Sequence, residues 1–328
     1  MSYFLLPEIH DNIDNINIQS NETDNLHVSL TLNNYLNKAK KQIDENYDKK
    51  LTQIESKFPG FTDYYLTNHI AMINSNDSIK RKNILSFTSF SGVVLLQNKI
   101  DNYFTNTKEI SNKINESFGI YKYHFPENKI PENIIFINAF NSFGIDSYNN
   151  NLIIGLDFYL GKDNPMFNTV YDYLKTRYDE KFMIADAVEY WISSEFIETQ
   201  DSQTFLEELI LKGKIMYIMN EFLPEEADNI ILRFAEKDLK WCKTHEQNIW
   251  NEILKMDILY ELDESNYISF FNDSPFTKGM PKESPGRLGY WVGYQIVNQY
   301  MKNEGVSLLD LMKNTNSQEI LLKSKYKP

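Results

Sequence analysis

A chain of 328 residues with 46 acidic against 33 basic side chains carries a formal charge of −13. Such a surface repels phosphate backbones and anionic lipid, which excludes nucleic acid as a partner. With 42% hydrophobic and 14% aromatic residues the chain can bury a large core, while its single cysteine excludes an internal disulfide.

Residues 1–27, rich in Asn and Asp with interleaved Ile, read as an extended N-terminal arm. Residues 28–328 read as a single domain, since no Pro/Ser/Gly tract, charge block or repeat divides them. MSYFLLPEIHD lacks the basic start and long apolar run of an export signal. No stretch approaches the ~20 apolar residues that span a bilayer. Over 29–57, Leu32, Leu36, Ala39, Ile43, Tyr47, Leu51 and Ile54 recur every three to four residues and predict a long amphipathic helix. Helices are predicted over 64–73, 92–103 and 107–118, then strands over 134–139 and 152–158 with the turn-rich NSFGIDSYNNN between them. A helical series follows over 166–177, 182–198, 204–220, 225–240 and 246–261.

SPFTKGMPKESPGR reads as a loop. At its end Ser284 is a natural N-cap and Pro285 suits a first helical position, which predicts a helix from 284 to 303. On it Leu288, Trp291, Val292 and Ile296 share one face and Tyr290, Tyr294, Val297 and Met301 another, so the helix is buried. Gly289 and Gly293, one turn apart, each cost about 1 kcal/mol of helix propensity and call for a second backbone packed closely against them. Short helices over 308–313 and 318–323 close the chain. The fold class is α+β, predominantly helical, with one small sheet.

Nucleophile elbows, phosphate loops and GxGxxG turns are absent, and the five histidines never pair at i,i+4. No catalytic residue, metal or cofactor is therefore expected. Cys242, in a helical context, reads as a structural thiol. Asp157 and Asp163 read as turn caps in preference to a cation site with Asp146. Asp186 and Glu189, three apart on one helix, are read first as solvated or salt-bridged carboxylates.

The C-terminal run SPGRLGYWVGYQIV, with QYM and the closing ILLKSKYKP, resembles the C-terminus of the GldB family of gliding-motility lipoproteins. The likeness continues through FPGFTDYY at 58–65, HFPENKIPENIIFINAF at 124–140, IIGLDFYLGKDNP at 153–165, LKGKIMYIMNEFLP at 211–224, NEILKMDILYELD at 251–263 and SPFT at 274–277. The resemblance implies a non-catalytic component of the gliding and protein-secretion machinery of the cell envelope, acting on a protein or peptide partner. It implies a periplasmic, lipid-anchored setting as well, whereas the chain as given reads as soluble, and as cytoplasmic if Met1 is the native start.

It further implies a degenerate zincin-like body without HExxH, in which Lys212 stands where a third metal ligand would be. Asp186, Glu189, Tyr190, Lys212, Arg287 and Trp291 are then the candidates for binding a peptide or partner. The alternatives are a zincin-related peptidase or peptide-maturation protein, and a peptide-binding chaperone.

Overall fold

The computed structural model describes residues 56, 58–69, 86, 90–196 and 203–328. The expected arm over 1–27 lies outside them, as does the helix over 29–57 apart from Ser56. The described chain is mainly helical with a three-stranded mixed sheet, the predicted α+β class. It falls into two compact units, one comprising Met1–Glu116, Ile130–Asn164 and Tyr178–Tyr190, the other Ser117–Lys129, Pro165–Arg177 and Trp191–Pro328.

The first unit holds a helical turn at Phe61–Tyr64, helix α1 (Ser91–Tyr103) and the start of α2 (Lys108–His124). Its sheet comprises β1 (Asn133–Ile137), β2 (Ile145–Tyr148) and β3 (Asn151–Gly155) in the order β1-β3-β2. β1 and β3 run parallel from Asn133 against Asn151 to Ile137 against Gly155, and β2 pairs antiparallel with β3. β3 is buried along its whole length, which matches its unbroken apolar run.

β2 falls inside the segment expected to be turn alone. The cause lies in its neighbours: Asn149 and Asn150 both take positive φ (45° and 60°), the two-residue turn that joins antiparallel strands. The second predicted strand ends early as well, because Leu156–Tyr159 winds into a tight helical turn.

α3 (Met183–Phe196) leads into the second unit, which contains α4 (Phe205–Phe222), α5 (Glu236–Met256), α6 (Leu288–Glu304), α7 (Leu308–Lys313) and α8 (Ser317–Ser324). α4 starts with a reciprocal cap: the Thr204 hydroxyl accepts from Glu207 N while the Glu207 carboxylate accepts from Thr204 N. The helix predicted over 225–240 is not one element. A single turn, Asp228–Ile231, is followed by Arg233 at φ 55°, and α5 then begins at Glu236 and runs past the predicted break with only a kink at His245. The expected helix over 166–177 likewise breaks into short turns around an extended Tyr171.

α4 and α6 pack backbone on backbone. A Cβ on Gly293 would stand 2.0 Å from the Leu209 carbonyl oxygen, and one on Gly213 2.2 Å from the Gly293 carbonyl oxygen. The close neighbour that the glycines of α6 called for is therefore α4 at Gly293, whereas Gly289 faces the Phe271 ring, with the Phe270 carbonyl oxygen behind it at 3.0 Å.

Candidate functional site

The loop before α6 sets the geometry of the second unit's most unusual side chains. Fully buried Thr277 donates from its backbone N (3.1 Å) and its hydroxyl (2.8 Å) to the Pro285 carbonyl, and its N–H also reaches the Ser284 hydroxyl oxygen at 3.3 Å. Ser284 is thus used inside the loop and does not cap the helix. α6 starts at Leu288 with Arg287 at its N-cap, a correction to the predicted start at Ser284. The closed loop brings its two ends together, Asp273 at the entry and Arg287 at the exit, with Arg287 Nη1 3.9 Å from Asp273 Oδ1.

Arg287 sits there against two local preferences. Its φ of 61° is left-handed, costing on the order of 1 kcal/mol for a residue with a Cβ. Its positive charge also lies at the positive end of the helix dipole. Against these, its guanidinium carbon lies 4.0 Å from the centroid of the Tyr290 ring, a contact on the order of 2 kcal/mol once desolvated. The residue is only 6% exposed, and its Nε finds no acceptor. Trp291, one residue past Tyr290 and also buried, leaves its indole N–H equally without one.

More positive charge gathers on the same ring. Lys212 of α4 holds its Nζ 5.7 Å from the Tyr290 centroid, and Arg177 is ion-paired and hydrogen-bonded through Nη1 to Asp273 Oδ1. Burial alone would raise the Tyr290 phenol, but the charges of Arg287, Lys212, Arg233 and Arg177 outweigh it and hold the group below its ordinary value. Only four of the 33 basic residues are arginines. Arg81 is outside the described residues, and the other three all act on Tyr290. A planar guanidinium matches a carboxylate with two parallel hydrogen bonds, which an ammonium cannot do. The arrangement is suited to holding an anion.

A family model described as gliding motility protein GldB matches residues 17–328, nearly the whole chain. The chain belongs to the GldB family. No curated protein and no solved structure matches it. In this GldB-family chain the two motif pieces SPFT and SPGR, separate in sequence, fold onto each other through the Thr277 to Pro285 bonds.

The six predicted site residues divide between the units of this GldB-family chain. Lys212, Arg287 and Trp291 belong to the second unit, where Lys212 and Arg287 share the Tyr290 ring. Asp186, Glu189 and Tyr190 belong to the first. There Asp186 accepts a hydrogen bond from the buried Tyr159 hydroxyl at 2.8 Å. Tyr190 donates to Asp146 Oδ1 at 3.0 Å, and Asp146 also accepts from the Tyr64 hydroxyl and from Ser147 N. Glu189 is half-buried on the same helix.

Asp157 is fully buried and accepts from the backbone N–H groups of Ala139 (2.6 Å) and Asn141, around a turn in which Phe140 and Asn141 have positive φ. It does cap a turn, but the one at 139–141 and not the local turn after the second strand that the sequence suggested. Burial lifts its carboxyl to about 6, against the lowering effect of those two N–H donors. Of the residues gathered here, the sequence shows Tyr290 only as part of a buried helix face, and Asp273, Arg177 and Arg233 carry no local sequence signal of their own. Among the described residues, no group of three His, Cys, Asp or Glu side chains could hold a metal ion, and no helix is long and apolar enough to cross a membrane.

Proposed function

We propose that this GldB-family protein serves gliding motility by holding a protein partner, without catalysing a reaction, as part of the cell-envelope apparatus for gliding and secretion. Family membership supports the process. The binding role is supported by one observation: Arg287 and Lys212 lie over the Tyr290 ring, which also feels the charges of Arg233 and Arg177, and Arg287 is buried with its Nε donor unused. A buried guanidinium with an unmet donor costs stability unless something completes it, and a partner's acidic group would do so. On this reading Arg287, Lys212 and Trp291 carry recognition; Asp186 and Tyr190, in the other unit, are engaged with Tyr159 and Asp146. The peptidase alternative draws no support from the family match.

The test is complementation of a gliding strain that lacks this gene. Arg287→Ala and Lys212→Ala, made at normal protein level, should each reduce colony spreading, and the pair should abolish it together with cross-linking to envelope proteins. Full spreading by the folded double variant would overturn the binding role.

A further inference from the structure

The Asp273–Arg287 contact gives the site a feature beyond positive charge. At 3.9 Å from Nη1, the Asp273 carboxylate is close enough to lower the cost of the buried charge but too far to make a hydrogen bond. Its other neighbour, Arg177, takes the direct bond. Asp273 is 40% exposed while Arg287 is 7% exposed at its side chain, so the carboxylate is the more solvent-accessible member of the pair. A carboxylate is thus already present beside the guanidinium, too far from Nη1 for a hydrogen bond, while Arg287 Nε lacks an acceptor. Lys212 and the Tyr290 ring complete the surroundings, with Glu208 the acidic group that acts on Lys212.

We propose that Arg287, with Tyr290 and Lys212, forms a receptor for a peptide carboxylate, and that Asp273 is an internal stand-in which the incoming carboxylate displaces. This rests on the binding role proposed above and names its chemistry. The net charge of −13 is unfavourable to acidic chains overall, so a local collection of arginines is the kind of place where an acidic peptide is favoured. Arginine at the centre, where lysine dominates elsewhere, favours a planar two-oxygen acceptor.

The experiment titrates purified protein with three peptides, followed by calorimetry at low and high salt. The probes are an amidated, acetylated Gly-Glu-Gly-Glu-Gly, an acetylated tri-alanine with a free C-terminal carboxylate, and the tri-alanine amide. At least one of the two carboxylate peptides should bind, and which one does identifies the carboxylate as side-chain or C-terminal. The amide should not bind. Asp273→Asn should tighten binding about tenfold by removing the competitor, and Arg287→Lys should weaken it at least about tenfold, both variants melting as the parent does. Added salt should weaken all binding.

Unchanged affinity in both variants would overturn the proposal, as would binding of neither carboxylate peptide or equal binding of the amide. Loss of spreading in Arg287→Ala cells alongside peptide affinity insensitive to Asp273→Asn would sink this inference and leave the binding role standing. Peptide binding that responds as stated, with normal spreading in Arg287→Ala cells, would do the reverse.

Discussion

Replacing Gly293 by alanine tests the closest contact in the second unit. Helix propensity alone predicts that the substitution stabilises α6 by about 1 kcal/mol. The new Cβ, however, would meet the Leu209 carbonyl oxygen at 2.0 Å and Gly213 N at 3.0 Å, so the carbonyl must withdraw by about 1 Å to reach even 3.0 Å. Both neighbours are backbone atoms of α4, which cannot turn aside as a side chain would. Overpacking of this kind costs about 1–3 kcal/mol, and rigid backbone on the far side places it at or above the upper end. The net expectation is destabilisation by about 2 kcal/mol.

All four tryptophans, at 191, 241, 250 and 291, lie in the second unit, so their fluorescence follows its unfolding directly. With a urea slope of about 2 kcal/mol per M, the midpoint should fall by roughly 1 M. Gly289→Ala is the companion measurement: its Cβ meets the Phe271 ring at 2.4 Å and the Phe270 carbonyl oxygen at 3.0 Å, and because the nearest atoms there belong to a side chain its loss should be smaller. A Gly293→Ala midpoint equal to or above that of the parent would mean that propensity prevails and that the helices do not touch there.

Asp157 should leave a signature in pH. Folding raises its carboxyl from 3.8 to about 6, so the folded chain holds that proton more tightly than the unfolded one. Its contribution to stability is fully present below 3.8 and is lost as pH climbs through about 6, by roughly 3 kcal/mol at 1.36 per pH unit. Asp157→Asn should flatten this part of the pH dependence in far-UV thermal melts, and an identical slope in parent and variant would contradict the assignment. Thr204→Ala removes one arm of the α4 cap and should cost about 1 kcal/mol by the same fluorescence assay. Cys242 is fully buried, and burial first, then the charges of Asp238 and Glu246, push its thiol above its ordinary range. The native protein should therefore not react with a disulfide reagent at pH 8, while the denatured protein reacts at once; fast native labelling would show the thiol to be accessible.

The helices that the sequence revealed are those whose apolar spacing is carried through to a chemically marked end. Thr204 with Glu207, and Ser307 with Asp310, announce their starts by side chains that bond across one turn. Ser284 carries the same local mark and misled, because Thr277, seven residues upstream, takes its hydroxyl and no neighbour in sequence signals that competition. β2 was hidden by its brevity, although the two asparagines after Tyr148 are a hairpin signal.

At the candidate site, Arg287 could be singled out by its place near a helix start, and Gly293 by its cost. Asp273 and Arg177 could not be paired, since they stand 96 positions apart and meet only through the loop geometry. The scarcity of arginine was the signal available: in a chain with four of them, each is worth asking about.

The two units are threaded through one another in sequence. The polypeptide changes unit after Glu116, Lys129, Asn164, Arg177 and Tyr190. No uninterrupted fragment corresponds to either, so truncation cannot isolate one cleanly, and a limited proteolytic cut anywhere between 116 and 191 severs the pieces from which both are built. During synthesis the first unit has all its residues once position 190 has emerged, whereas Ser117–Lys129 and Pro165–Arg177 emerge before the last 138 residues that complete their unit. Recruiting a chaperone during translation, or slow late maturation, would be the cost of that interleaving, and ribosome-stalled chains ending beyond residue 190 are where it would be seen.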